Sequence, residues 1–202
     1  MRSKGKSIVD WRVFGILLLS RFNAATCMEK YYSKIVGTPV FLESGGRALT
    51  RIVDLVIDPE NGKIVAFSVA PGFKKLISPM DVRLWTDQIL IDNPDDIVSR
   101  DDLLRADEVI DMHAPIIKNK VYSQKDGEYL GKVNDYVVHP EMMILKKILV
   151  AKSVLGLAQF GQRIIPYGAI YEILPDKIIV NTDSELIEEE EAAAKTLELG
   201  RA

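Results

Sequence analysis

The sequence predicts an all-β protein with minor helix, built from two tandem copies of one small β-barrel module. Three observations support this prediction. A stretch of about sixty residues recurs along the chain. Ile, Val and Leu dominate the apolar residues, and short apolar runs alternate with turns rich in Gly and Pro. β-Branched side chains pack well on pleated surfaces, and short strands with frequent turns are typical of small barrels.

The repeat begins at an offset of 81 residues. The stretch GGRALTRIVDLVIDP (45–59) recurs as DGEYLGKVNDYVVHP (126–140), and Val40 recurs as Val121. Gly, Asp and Pro recur at the same places within the two stretches, and the apolar pattern matches almost throughout. Because identity, hydropathy and turn residues agree, the two segments are predicted to share one fold.

The offset grows towards the end of the repeat. Pro79 pairs with Pro166, and DQILID (87–92) pairs with DKIIVN (176–181). The second copy has therefore gained about six residues after its third strand, within AKSVLGLAQFGQ (151–162). Insertions are tolerated at loops and hairpin ends, so we expect one of these here.

The repeat and the charge distribution divide the chain into five segments. Their net charges are +4, −2, −3, +2 and −4 in chain order. The segments are an N-terminal extension (1–33), the first copy (34–97), an acidic connector (98–115), the second copy (116–184) and an acidic C-terminal helix (185–202). The overall charge of −3 is too small to indicate a nucleic-acid or membrane partner.

Each copy is predicted to contain the same elements in the same order. A short strand and a Gly-containing turn precede a long apolar strand, a third strand, a short helical turn and a closing strand. In the first copy we expect them at 39–42, 48–57, 64–70, 80–82 and 89–91, and in the second at 120–123, 129–138, 145–150, 167–170 and 178–180. The apolar run at 52–57 is too continuous for a strand with one solvated face, and it predicts burial on both sides.

Two helices are predicted outside the copies. In the connector, Ser99 is a candidate N-cap with Asp102 three residues later, and Leu103, Leu104 and Val109 are expected to pack against a barrel. The tail from Thr182 onward has a capping box and a composition rich in Glu, Ala and Leu. Its run of four glutamates is expected to be a solvated face.

The N-terminal extension allows three interpretations. Residues 8–22 include a short apolar run that suits an amphipathic helix lying on a membrane or a partner. Alternatively, the start is assigned too early and the natural protein begins at Met28, where a compact opening leads into the first strand. A secretory signal is the third interpretation, although Arg21 follows the apolar run where small residues are expected.

Nothing in the sequence forms a recognisable catalytic or metal site, and we predict no enzyme activity, metal or cofactor. His113 and His139 lack clustered ligands, and a polar turn residue suffices to explain His139. Asp54 and Asp135 recur at one position, which suggests either a site in each copy or carboxylates that accept backbone hydrogen bonds; the second interpretation is favoured. The single cysteine, Cys27, excludes an intramolecular disulfide.

The insertion in the second copy is the candidate partner-binding feature. It carries Leu155, Leu157 and Phe160, flanked by glycines. Apolar residues exposed together mark contact surfaces, so they favour a contact with another protein or with a second copy of the chain. The alternative is that this loop folds across the barrel end as a lid.

A mild basic patch in the second copy supports a different partner. The patch consists of Lys146, Lys147, Lys152 and Arg163. Such cations contact RNA phosphates, but lysines on an edge strand also prevent sheet pairing. The patch therefore leaves open an RNA- or ribosome-associated role.

Three motifs of the second copy identify its fold: DGEYLGKVNDYVV (126–138), IPYGAI (165–170) and DKIIV (176–180). In these motifs the second copy resembles the PRC-barrel domain, named for the photosynthetic reaction centre H subunit and also found at the C-terminus of the ribosome maturation factor RimM. The first copy matches less well, since Thr50 stands where the second has Gly131. A RimM-like identity is not favoured, because the first half is a second PRC-like copy.

The resemblance implies a fold more directly than a function, because its motifs are structural glycines, turns and apolar strands. It implies a non-catalytic adaptor that mediates protein–protein interaction in the cytoplasm. Alternatives are a ribosome- or RNA-associated assembly or processing factor, and a membrane-peripheral adaptor of photosynthetic or cell-division type. The membrane alternative requires residues 1–27 in the mature chain.

Overall fold

The computed structural model describes residues 29–154 and 157–181, and for 153–154 and 157–161 it describes the backbone alone. The predictions for the N-terminal extension before Glu29 and for the C-terminal helix lie outside the described residues. The described chain opens with a two-residue strand and one helical turn. These are β1 (Lys30–Tyr31) and α1 (Tyr32–Ile35).

The described residues of the first copy form two four-stranded sheets. Its strands are β2 (Pro39–Leu42), β3 (Thr50–Arg51), β4 (Asp54–Ile57), β5 (Ile64–Ser68), β6 (Lys75–Ile77), β7 (Val82–Trp85), β8 (Ile89–Ile91) and β9 (Ile97–Ser99). The sheet orders are β3-β2-β8-β7 and β4-β5-β6-β9. β2 and β8 run parallel, and the other pairs are antiparallel. The connector helix α2 (Leu104–Asp111) follows.

The second copy folds its strands into one continuous sheet. They are β10 (Lys120–Ser123), β11 (Tyr129–His139), β12 (Ile144–Val154), β13 (Leu157–Pro166), β14 (Ile170–Ile173) and β15 (Lys177–Val180). Their order is β13-β12-β11-β10-β15-β14, and β1 adds to β11 as a seventh strand. β10 and β15 run parallel, as β2 and β8 do. The predicted fold class is confirmed, although hydrogen bonds among the described strands do not close a barrel in either copy.

The long second strand was predicted in both copies, and for the first copy the prediction was wrong. β11 is continuous, but its counterpart breaks into β3 and β4, which belong to different sheets. Gly131 explains the difference: its φ is +139°, and a Cβ there would lie 2.5 Å from the carbonyl oxygen of Ala151. Glycine therefore lets β11 bend against β12 without a break. Thr50 at the equivalent position has a Cβ and does not readily adopt a positive φ. The strand is therefore interrupted, with β3 pairing to β2 and β4 pairing to β5.

The helical turns after the third strand confirm the prediction and correct the alignment. They are 3₁₀ turns at Pro79–Asp81 and Tyr167–Ala169. The residue before each turn is Ser78 in one copy and Pro166 in the other, both extended. Ser78, rather than Pro79, therefore occupies the position of Pro166.

The two copies share one hydrophobic core. A single cluster of buried residues includes Phe67 and Ile89 of the first copy together with Ile148 and Ile178 of the second, each fully buried. A smaller cluster joins α2 to the outer face of β4 and β5 through Val56, Ala66, Leu76, Ala106 and Val109. β4 is therefore buried on both faces, as its continuous apolar run predicts, because α2 covers one of them.

The connector is helical, but its helix begins later than its sequence predicts. The Asp102 carboxylate accepts from the Ser99 N–H at 3.0 Å, and this closes a 3₁₀ turn at Arg100–Asp102. The α-helix starts at Leu104, which is 76% exposed, so the predicted packing of Leu104 was wrong. Val109 is buried as predicted, because it lies on the face that contacts β4 and β5.

Candidate functional site

α1 lies between the two copies and is bonded to both. The Tyr32 hydroxyl donates to Asp54 Oδ1 at 3.0 Å. The Ser33 N–H and hydroxyl donate to the two oxygens of Asp135 at 3.1 and 2.6 Å. The Tyr32 ring stacks on that of Tyr136, with centroids 4.7 Å apart. The equivalent aspartates of the two copies therefore hold one segment from opposite sides.

The two aspartates also have the backbone role favoured from the sequence. Asp54 Oδ1 accepts from the Leu55 N–H, and Asp135 Oδ1 accepts from the Tyr136 N–H, both at 2.8 Å. The favoured interpretation is confirmed in this respect. The bonds to α1 add a long-range role, because they join residues 22 and 102 positions apart.

The copies also meet through the turns that follow β4 and β11. The Ile64 N–H donates to the Met143 carbonyl, and the Leu145 N–H donates to the Gly62 carbonyl, both at 2.8 Å. Tyr167 packs over Gly62, where a Cβ would lie 2.7 Å from its ring. With α1 and the shared core, these contacts fix the two copies against each other.

A cavity of about 470 Å³ opens where α1, β4, β11 and the connector meet. This volume lies within the usual range for sites that hold small organic molecules. Its polar side chains are Tyr32, Asp54, Tyr136, Arg100 and His113. Its apolar wall consists of Leu55, Val56, Ile57, Phe73, Val109, Ile110, Ala114, Pro115, Ile116 and Ile117.

Burial dominates the electrostatics of this cavity. It raises the pKa of Asp54 above its ordinary value, although the hydrogen bonds from Leu55 and Tyr32 act in the opposite direction. Burial also raises the pKa of Tyr136 well above its ordinary value, with the negative charge of Asp54 adding to the effect. The Tyr32 pKa is raised by burial and by Asp54. Both phenols therefore stay neutral at physiological pH.

Tyr32 and Tyr136 were not predicted as site residues. Tyr32 is close to its partners only in the folded chain, so no local pattern indicates its role. Tyr136 stands where the first copy has Leu55. A polar aromatic residue at an apolar position of the repeat is the signal that could have found it.

The insertion of the second copy forms a long hairpin. β12 and β13 contain 11 and 10 residues, whereas the equivalent β5 and β6 contain five and three. The ladder between β11 and β12 ends at the pair Lys132–Ala151. Beyond it β12 and β13 continue to pair with each other as far as Val154–Leu157, which makes a two-stranded arm.

The predicted partner-binding residues fall in this arm. Leu155 lies outside the described residues. Leu157 and Phe160 belong to β13 and pair with Val154 and Lys152, but their side chains lie outside the description. The structure confirms that the insertion lengthens a hairpin, and the choice between a contact surface and a lid stays a prediction.

The predicted basic patch is partly neutralised. Lys147 lies 3.0 Å from a carboxylate oxygen of Glu29, and Lys152 lies 3.5 Å from one of Glu128. Lys146 and Arg163 are exposed. The RNA contact stays a prediction.

The two histidines make local contacts. His139 Nδ1 accepts from the Met142 N–H at 3.2 Å, and His113 Nδ1 lies 2.6 Å from the Asp111 carbonyl. Asp58, the counterpart of His139, likewise accepts from the Glu60 N–H at 3.0 Å. His139 therefore has the turn role that its alignment with Asp58 predicts.

Comparison with known families agrees with this architecture. The model of the PRC-barrel domain matches the chain twice, at residues 28–98 and 113–187. This chain belongs to the PRC-barrel domain family. The family assignment covers both copies, including the first one with its weaker motif. No curated protein sequence matches the chain significantly. Within the described residues of this PRC-barrel protein, the helices are too short and too polar to cross a membrane.

Proposed function

We propose that this PRC-barrel protein is a non-catalytic adaptor that binds an extended segment of another protein along the outer edge of β13. Family membership supports an interaction role, since PRC-barrel domains occur in adaptor-type proteins. The cytoplasm, with its reducing conditions, is the compartment we propose, in keeping with the single cysteine.

The observation that carries this proposal is the length of β13, which has ten residues where β6 of the first copy has three. In the first copy the short strand β6 is covered by β9, with Lys75, Leu76 and Ile77 paired to Ser99, Val98 and Ile97. In the second copy β13 is ten residues long, and within the described chain it pairs with β12 alone. A long edge strand presents unpaired main-chain donors and acceptors, which an extended peptide can satisfy by adding a strand.

The sequence of the arm fits the same role. Its two strands leave the main sheet, and an isolated two-stranded hairpin is at best marginally stable in water. The arm is nonetheless rich in apolar residues, among them Val154, Leu157 and Phe160. A partner strand along β13 would both extend the sheet and cover apolar side chains.

Shortening the hairpin tests the proposal. Ala151 and Gln162 are direct partners in the ladder, so residues 152–161 can be replaced by Asn-Gly, which favours a two-residue hairpin turn. Proteins captured by the full chain are identified by mass spectrometry, and each is purified and titrated against both forms. We expect the shortened chain to bind at least tenfold more weakly, because the edge and the arm are gone.

The control shortens an exposed loop of the first copy by replacing residues 44–47 with Asn-Gly. This variant should bind as the full chain does, and both variants should unfold cooperatively. Equal affinity of the purified partner for the shortened and the full chain would contradict the proposal. The RNA-associated alternative would be favoured by a different result. In that result the chain captures ribosomal particles, salt weakens their binding, and shortening the hairpin leaves it unchanged.

A further inference from the structure

The cavity between the copies is lined by two polar side chains that have unused hydrogen-bonding capacity. The Asp54 carboxylate uses Oδ1 for both of its hydrogen bonds, and no described residue bonds to Oδ2. Tyr136 is 2% exposed, and no described residue bonds to its hydroxyl. Asp54 and Tyr136 line the same cavity, so a bound molecule with hydrogen-bond donors could satisfy both groups.

The unpaired charge in this cavity is negative. Arg100 is the cation of the lining, but its guanidinium already donates to the carboxylates of Asp107 and Asp111. The His113 ring lies against the Asp111 carbonyl. Asp54 therefore has no cation as a partner among the described residues. A positively charged ligand would neutralise the charge of Asp54.

The aromatic pair strengthens this preference. Tyr32 and Tyr136 stack beside Asp54 and line the same cavity. Aromatic faces attract cations, with a gain that grows when water is excluded. The rest of the wall is largely aliphatic, which suits an apolar body and disfavours a strongly hydrated one such as a phosphate.

We propose that this cavity binds a small organic cation, with its ammonium group at Asp54 Oδ2 and the Tyr136 hydroxyl, and its apolar body against β4 and the connector. An ammonium has three donors, enough to satisfy both groups at once. Because α1, β4, β11 and the connector line the cavity, such a ligand would contact both copies and the connector. This site is independent of the β13 edge.

Binding of three indoles of similar shape tests the proposal. The probes are tryptamine, which is cationic, 3-ethylindole, which is neutral, and indole-3-propionate, which is anionic. Titrations of the full chain are followed by calorimetry and by amide chemical shifts. We expect tryptamine to bind at least tenfold more tightly than 3-ethylindole, with shifts in β4 and β11. The anion should bind most weakly, because Asp54 repels it.

Two substitutions assign the binding to the named groups. Asp54→Asn keeps an oxygen for Tyr32 and removes the charge, and we expect it to weaken tryptamine binding at least tenfold. Tyr136→Phe removes one hydroxyl from a stacked ring, and we expect a loss of about threefold or more. The matched control is Asp176→Asn, which removes an exposed carboxylate outside the cavity lining and should leave the affinity unchanged.

Three results would overturn the proposal. These are no saturable binding of tryptamine up to millimolar concentration, equal binding of tryptamine and indole-3-propionate, and equal tryptamine affinity in the Asp54→Asn variant. Thermal unfolding of each variant is measured alongside. Tyr136→Phe is the most conservative change, so it retains a test if the charge variant is perturbed.

Discussion

The two copies have the same strand order, but their second strands differ: one is continuous and bent, and the other is interrupted. In the second copy Gly131 allows β11 to pass continuously from β10 to β12. In the first copy the strand ends at Arg51, and β3 and β4 belong to different sheets. The first copy is then completed by the connector, whose β9 covers β6 and whose α2 covers β4.

The two copies differ in how much of their surface the connector covers. The first copy buries its sheet edge and outer face under the connector, and its strands are short. The second copy keeps a long hairpin whose outer edge no other described strand covers. The two proposed functional surfaces are the outer edge of β13 and the cavity where α1, β4, β11 and the connector meet.

The largest expected effect is from transferring the first copy's residue into the second. Gly131→Thr places a Cβ 2.5 Å from the Ala151 oxygen, at a φ of +139° that threonine rarely adopts. Backbone strain and overpacking each cost about 1–3 kcal/mol, so we expect a loss of about 3 kcal/mol or more in the free energy of unfolding. Urea denaturation measures it.

The reverse substitution is the control. Thr50→Gly removes one long hydrogen bond to the Val69 carbonyl, 3.3 Å, and adds chain entropy to the unfolded state. We expect it to cost about 1 kcal/mol. Similar losses for the two substitutions would show that Gly131 is not what makes β11 continuous.

The next effect concerns the turn that follows β4. Asp58 is buried and accepts from the Glu60 N–H, from Asn61 Nδ2 at 2.9 Å and from Arg105 of α2 at 2.7 and 3.0 Å. Asp58→Ala removes the turn contacts together with the ion pair to Arg105, which is the tie between this turn and the connector. We expect a loss of about 2 kcal/mol, measured by urea denaturation, and faster amide hydrogen exchange in α2.

Arg105→Met separates the two parts of this effect. It breaks the tie and keeps the turn contacts of Asp58, so it should speed exchange in α2 while costing less stability than Asp58→Ala. Unchanged exchange in both variants would mean that packing alone holds the connector against the first copy.

A smaller effect tests the contact between the copies. Gly62 has a φ of +70°, and its Cα lies under the Tyr167 ring. Gly62→Ala adds a left-handed alanine and a clash with a ring that can move, for which we expect a loss of about 1 kcal/mol or slightly more. In the double variant with Tyr167→Ala the clash disappears, so the combined loss should be smaller than the sum. Additive losses would place Tyr167 away from this turn.

Most elements could be predicted from sequence, because strand and turn signals are local. The short strands at Pro39–Leu42 and Ile89–Ile91 have the predicted bounds. The break before Asp54 could not be predicted, since it depends on whether a glycine faces a neighbouring carbonyl. Leu104 was misplaced because the Ser99 cap serves a 3₁₀ turn before the helix.

Little of the candidate site could be predicted. The repeated aspartates were found, but their long-range partners were not, because Tyr32 and Ser33 precede Val40, where the recognisable repeat begins. The cavity is formed by segments far apart in sequence, and periodicity does not indicate which of them meet. The inserted residues were found because an internal repeat makes any departure visible.

The smallest expected effect is a gain in stability from removing the charge of Asp54. Burial raises the pKa of Asp54, so the folded chain holds its proton at a pH where the unfolded chain has released it. Ionised Asp54 therefore lowers stability above the folded pKa, and this cost disappears as the pH falls below the ordinary value of 3.8. The charged and titratable groups around the cavity are Tyr32, Tyr136, Arg100, His113 and, beyond α1, Asp135.

We expect Asp54→Asn to raise the urea midpoint at pH 7 and to lose this advantage at pH 3. A lower midpoint at pH 7 would show that the carboxylate stabilises the fold and is not held there for a ligand.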